Sequence, residues 1–382
     1  MRGSVHVMTI GDIEIGVHFS WFLIFFLVAW TLAVGLFPQE VPGLGTGVYW
    51  GIGFISSFLL FVSVLIHELA HSFVAESRGL KVRGITLFIF GGVSNISGEP
   101  TNARDEFVIS AVGPISSFLL GGAFYGIALV PWHNAAADAV LFYLSFINVT
   151  LAVFNLIPGF PLDGGRVLRA VVWWATNNFR QATRVAVWSG RIVGFLFVAG
   201  GVMLAFLVSL LSGIWLVLIG WFIYSIAESS WRESEEMRRF RGILVRDVMD
   251  RDPAKVDAAS PLQDAVQGVM VQRGVRSVAV VEDGWLLGMV GLEDVRRIPR
   301  EQWTETPVRA IMTPADRLQT VAPDANLESA VRTLAGYELE QVPVVEDGRL
   351  VGLLTQADLA RTLQMRDELG LHPEDEEHRR AA

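Results

Sequence analysis

Apolar residues along this chain fall in blocks too long for a soluble core, and the blocks stop near residue 230. A run of roughly 18 or more apolar residues is long enough to cross a bilayer as a helix. The pattern predicts six such spans, at about 19–37, 49–75, 107–130, 139–157, 192–211 and 213–227. A very short turn near Ser212 joins the last two. Between spans two and three, residues 82–96 are too few to span, rich in β-branched and aromatic side chains, and broken by Gly91-Gly92. They predict a strand or hairpin, which at membrane depth is tolerated only against protein or a water-filled cavity. Between spans four and five, residues 167–184 predict a helix on the membrane surface, with Trp173 and Trp174 as interfacial anchors.

The remainder of the chain is patterned as a soluble α/β module, and it repeats itself. VRSVAVVEDGWLLGMVGLEDV at 275–295 recurs as LEQVPVVEDGRLVGLLTQADL at 339–359. Each copy has a short helical stretch (261–272; 325–336), two apolar strands around an Asp-Gly turn (283–284; 347–348), and a closing helix from Glu293 or Gln356. The predicted fold is thus a polytopic α-helical membrane protein with a short membrane-associated hairpin, followed by an α/β tandem. The expected domains are a membrane half at 1–230, a linker at 231–241, repeat units at 242–300 and 306–366, and a charged, disordered tail at 367–382.

Charge divides along the same line. Residues 1–241 carry 14 basic and 14 acidic side chains, so the net charge of -9 sits wholly in the soluble half. That acidic module is a poor partner for nucleic acid or anionic lipid. The chain has no cysteine, which excludes disulfides, thiolate ligands and cysteine nucleophiles. The loops after spans one and three hold no Lys or Arg. The loops after spans two and four hold Arg78, Lys81, Arg83, Arg104, Arg166, Arg169, Arg180 and Arg184. This alternation predicts both termini in the cytoplasm. About 18 mixed residues precede the first apolar block and no small-residue cleavage site follows it, so no cleaved signal peptide is expected.

Chemistry enters near the cytoplasmic end of span two, as His67-Glu68-Leu69-Ala70-His71. Residues four apart share a helix face, so both imidazoles can aim at one metal, with Glu68 beside them as a general base. Two interfacial histidines with a stray glutamate are the bland alternative, but an unpaired carboxylate buried in a span is costly. Catalytic zinc takes three protein ligands. His133 lies in an outward loop, His6 and His18 precede span one, and His372 and His378 lie in the tail. Asp163 is better placed. It follows span four in FNLIPGFPLDGGR, where prolines break the helix and glycines let the backbone approach. Its alternative role is to cap the surface helix.

The HELAH pair, the FNLIPGFPLDGGR stretch, Gly113-Pro114 and Phe90-Gly91-Gly92-Val93 together resemble the site-2 protease family of intramembrane zinc metalloproteases, over about residues 17–227. The resemblance implies one zinc ion on His67, His71 and Asp163, with Glu68 as general base. It further implies that Asn155 hydrogen-bonds substrate or the tetrahedral intermediate, and that the protein sits in a bacterial or archaeal plasma membrane. The substrates it implies are single-span membrane proteins. Gly91, Gly92, Val93 and Asn95 are the candidate substrate clamp by strand addition, a structural hairpin being the alternative.

The doubled soluble unit resembles a tandem of CBS domains. In that family adenine nucleotide is held by a hydroxyl residue and an aspartate at the start of the last helix. Thr355 and Asp358 match in the second unit; in the first, Asp294 matches but Gly291 replaces the hydroxyl, so one competent site is expected. The alternative is a homodimerisation module in which Asp294 and Asp358 serve as helix-start residues. A CBS-gated transporter and an inactive scaffold are the competing functions. The first has no need of HExxH with a matched Asp, and intact Glu68 argues against the second.

Overall fold

The computed structural model describes residues 4–89, 91–131, 134–240, 242–336 and 339–369. Phe90, His133 and the tail from 370 onward lie outside the described residues. The chain forms two compact units, Met1–Arg232 and Glu233–Ala382.

In the first unit, strands β1 (Ser4–Ile10) and β2 (Ile13–His18) precede helix α1 (Phe19–Glu40). Helix α2 (Thr46–Ser77) leads into strands β3 (Lys81–Phe88) and β4 (Gly91–Ser97). Helices α3 (Ala103–Ala128), α4 (Ala135–Asn155), α5 (Asp163–Thr176), α6 (Phe179–Leu207) and α7 (Leu210–Arg238) follow. All but α5 are long and apolar enough to cross a membrane, which makes this a multi-pass membrane protein. The strands form one four-stranded sheet in the order β1-β2-β3-β4. The expected hairpin of residues 82–96 is present as β3–β4, but the residues ahead of the first span are also strands. Gly11, at φ 63°, turns β1 back onto β2, and β2 runs parallel to β3 from Glu14↔Gly84 to Val17↔Leu87. Ile13 from β2 packs with Val82 and Ile85 from β3 and with Ala75 and Ile109 from the helices, and Ile15 is buried as well.

Several boundaries differ from the sequence pattern. The surface helix spans Asp163–Thr176 rather than 167–184, and Arg180 and Arg184 belong to α6. Asn177 ends α5 in the left-handed conformation (φ 51°), and the Asn178 side chain accepts from the Gln181 N–H at 3.0 Å to start α6. Two adjacent asparagines therefore supply stop and start in succession. The break before α7 falls at Val208–Ser209, and Ser212 lies inside the last helix.

The second unit holds a mixed sheet in the order β5-β6-β7-β10-β9, from β5 (Lys255–Asp257), β6 (Ser277–Glu282), β7 (Trp285–Gly291), β9 (Gln341–Glu346) and β10 (Arg349–Thr355), with the two-residue β8 (Thr313–Pro314) on β7. The repeats meet where β7 and β10 pair antiparallel at Trp285↔Arg349, equivalent positions of the two copies. Asp283-Gly284 and Asp347-Gly348 both adopt positive φ, as tight two-residue hairpin turns require. The closing helices are α8 (Leu292–Arg296) and, after α9 (Leu327–Gly336), α10 (Gln356–Glu368). The last helix thus runs past residue 366, into the start of the segment that composition assigns to a disordered tail.

Candidate metal centre

The histidines of HELAH lie on the buried face of α2, with His67 4% and His71 8% exposed. Their Nε2 atoms are 3.2 Å apart, and Asp163 Oδ2 lies 3.1 Å from the first and 3.2 Å from the second. Asp163 is the first residue of α5, far along the chain from the helix that carries the pair. Among the described residues these three form the one cluster of His and carboxylate groups compact enough to share a metal ion.

Hydrogen bonding at the far side of each ring shows what this triangle is. His71 Nδ1 is 2.6 Å from the Ile109 carbonyl, which can only accept, so the proton sits on Nδ1 and Nε2 keeps its lone pair. His67 Nδ1 lies 2.9 Å from the fully buried hydroxyl of Ser117, which lets it donate likewise. Three acceptor atoms therefore face one another with no donor between them, an arrangement a cation resolves. For tetrahedral zinc with bonds of about 2.0–2.1 Å, ligand atoms are separated by about 3.3–3.4 Å, close to the spacing here. Two imidazoles and a carboxylate, each imidazole oriented by a second hydrogen bond, fit such an ion.

Space for it is kept by Gly113 on α3. A β-carbon at that position would stand 2.1 Å from His71 Nε2 and 2.8 Å from His67 Nε2, inside the triangle's mouth. Gly164 and Gly165 approach something else. Their β-carbons would strike the backbone of Leu156 and Gly159, so these glycines serve the tight turn ahead of Asp163 and not the ligands themselves. Glu68 points towards the sheet: the Ser94 hydroxyl donates to its Oε2 at 2.7 Å, and Gly92 lies against its Cγ. Asn155 is the last residue of α4, half-buried, and its side chain makes no hydrogen bond among the described residues. Val93 and Asn95 are exposed on the face of β4 away from Glu68.

In the second unit, Thr355 and Asp358 face each other. The Thr355 N–H and hydroxyl both donate to Asp358 Oδ2, at 3.1 and 2.6 Å, and the Asp358 N–H donates back to the hydroxyl at 3.1 Å. In the first repeat the Gly291 N–H donates to Asp294 at 3.0 Å, with no hydroxyl to join it.

Comparison with known proteins gives the family. The model of peptidase family M50 matches residues 55–134 and 130–200, and the CBS domain model matches 245–301 and 308–364. A Synechocystis protein named as a zinc metalloprotease is 33% identical over 372 residues, covering 95% of this chain and 96% of its own. The chain belongs to peptidase family M50, the site-2 proteases. A zinc metalloprotease of Methanocaldococcus jannaschii is 29% identical across 97% of this chain and 99% of its own. The solved site-2 protease from the same organism is 32% identical, covers 60% of this chain and 95% of its own, and superposes with a TM-score of 0.42.

This M50 metalloprotease also contains a buried ion pair that hydropathy conceals. The apolar pattern leaves residues 105–106 outside span three, yet α3 begins at Ala103 and buries Glu106 to 1% exposure. Arg169 of α5 donates to it at 2.5 Å through Nε, and its guanidinium lies 5.0 Å from the centre of the Phe160 ring and 4.8 Å from that of Phe179. Glu106 stands just before Ile109, the carbonyl that orients His71, and Arg169 follows Asp163 on the same helix. The pair therefore ties the helix that orients one candidate ligand to the helix that carries another.

Proposed function

We propose that this site-2 protease binds one zinc ion on His67, His71 and Asp163 and cuts single-span membrane proteins near the cytoplasmic face. The triangle of three undonated acceptors beside a carboxylate carries the reading. Zinc held there would act as a Lewis acid towards a water and the scissile carbonyl. Glu68 takes the water's proton during attack and delivers it to the leaving amine. Asn155, at the broken end of α4, holds substrate or the tetrahedral intermediate by its amide. A helical substrate must first unwind, and β4, which pairs only with β3 among the described residues, offers it a free strand edge. The Arg and Lys bias of the loops supports a cytoplasmic position for both termini and for the chemistry.

The CBS pair is the regulatory half of this proposal. Thr355 and Asp358 already form a paired hydroxyl and carboxylate at the start of α10, whereas Gly291 leaves Asp294 without that partner. One adenine nucleotide per chain, bound at the second repeat, fits this asymmetry.

Membrane proteomics of cells carrying the wild type or Glu68→Gln tests the protease reading, with zinc measured on both purified proteins. Full-length single-span proteins should accumulate in the variant while its zinc content stays at one per chain. Unchanged single-span proteins with zinc retained would overturn the substrate class, and absence of zinc from the wild type would overturn the metal site.

A further inference from the structure

Strand β4 does more than present an edge. Side chains alternate across a strand, so Gly92 and Ser94 share one face and Val93 and Asn95 the other. The first face is closed against Glu68. Gly92 approaches so closely that a β-carbon there would lie 2.5 Å from Glu68 Cγ, and the Ser94 hydroxyl donates to Glu68 Oε2 at 2.7 Å. Ser94 is itself oriented, because the fully buried Ser72 hydroxyl donates to it at 3.2 Å. Ser72 lies one helical turn after Glu68, on the same face of α2. Three side chains thus form a directed chain, Ser72 to Ser94 to Glu68, that fixes one carboxylate oxygen, while Oε1 lies beside Gly92.

We infer that Ser94 is a positioning residue for the general base, and that β4 couples the alignment of Glu68 to the arrival of a substrate strand. The inference rests on the reading of Glu68 as base and of β4 as the substrate edge. A carboxylate on a flexible side chain sweeps a wide arc, and proton transfer needs it within about 2.6–3.2 Å of its target. The hydrogen bond from Ser94 narrows that arc. Ser94 also belongs to the strand whose backbone a substrate would join, so any shift of β4 on pairing moves the group that holds the base.

Two readouts test this on the full-length, zinc-loaded protein. The first is the infrared carboxylate band of Glu68, identified by its disappearance in Glu68→Gln. It should shift in Ser94→Ala and return to its place in Ser94→Thr, which keeps the hydroxyl in a β-branched residue suited to a strand. The second is the kinetics on the single-span substrate that accumulates in Glu68→Gln cells. Ser94→Ala should lower kcat roughly 10- to 100-fold, as expected for a lost hydrogen bond to a charged group, with KM and zinc content unchanged. Ser94→Thr should recover most of the loss. An unmoved band together with kcat within twofold of wild type would overturn the inference while leaving the base reading intact. Activity retained in Glu68→Gln would instead overturn the base reading itself.

Discussion

Adding one methyl group at Gly113 should empty the metal centre without unfolding the protein. The β-carbon of Gly113→Ala would meet His71 Nε2 at 2.1 Å, His71 Cε1 at 2.6 Å and His67 Nε2 at 2.8 Å, where ordinary contact starts at 3.4 Å. Both rings must therefore withdraw, His71 the further of the two. His71 cannot withdraw freely, because its Nδ1 is anchored at 2.6 Å to the Ile109 carbonyl on the same helix that brings the new methyl. Metal sites tolerate ligand displacements of only about 0.2 Å, which both overlaps exceed several-fold. Zinc affinity should fall at least 100-fold, about 2.7 kcal/mol. The substitution itself favours the helix by about 1 kcal/mol, so the fold should survive. Gly122→Ala is the matched control: it is interior to the same helix, with no atom within 4 Å of the new carbon. Chelator competition followed by elemental analysis measures the affinity, and circular dichroism during heating measures the fold. Stoichiometric zinc in Gly113→Ala, with affinity within threefold of wild type, would refute the placement of the ion.

Further outcomes follow from the same contacts. Glu68→Gln should retain zinc and lose roughly 10²–10⁴-fold in cleavage rate, the usual worth of a general base; a rate within tenfold of wild type would remove Glu68 from that role. Asp163→Ala should lower zinc retention while His67 and His71 remain, and an unchanged zinc content would place the third ligand elsewhere. Arg169→Met should cost about 3–5 kcal/mol of stability by stranding the buried Glu106 charge. Pairing it with Glu106→Leu should recover most of that, and thermal unfolding of both single variants and the double variant decides the point. Calorimetry on the full chain should detect one adenine nucleotide per chain, lost in Asp358→Ala and kept in Asp294→Ala; two nucleotides, or none at millimolar concentration, would contradict the single-site assignment.

What can be read in advance is whatever the physics writes into local spacing. Six spans, the i,i+4 histidines, the Asp-Gly hairpin turns and the doubled soluble unit each follow from short-range pattern, and each is present in the fold. Asp163 is reachable because Pro158 and Pro161 announce a broken helix on the histidines' side. The misses are long-range or hidden by averaging. Val5, Val7 and Thr9, then Ile13, Ile15 and Val17, alternate about Gly11 as two strands should, but the parallel partner of the second, β3, lies beyond two whole spans. Glu106 and Arg169 look like ordinary helix-end charges until the tertiary fold buries them together. Ser94 and Ser117 carry no spacing signal at all. Only the convergence of β4 and α3 on α2 gives those hydroxyls their partners.

The parallel pairing of β2 with β3 bears on how the protein is assembled in its membrane. Paired strands must lie on the same side of the bilayer, and the chain between them contains α1 and α2 alone. Those two helices are thereby obliged to insert as a pair that goes out and comes back, whatever the flanking charges prefer. The sheet also cannot close until the second of them has left the ribosome and β3 has followed it. Strands β1 and β2 must wait as a lone hairpin while both helices are made, and only then does their neighbour arrive. A bulky fusion ahead of β1 would lengthen that wait or obstruct the hairpin, whereas one placed after the last helix would meet a sheet already formed.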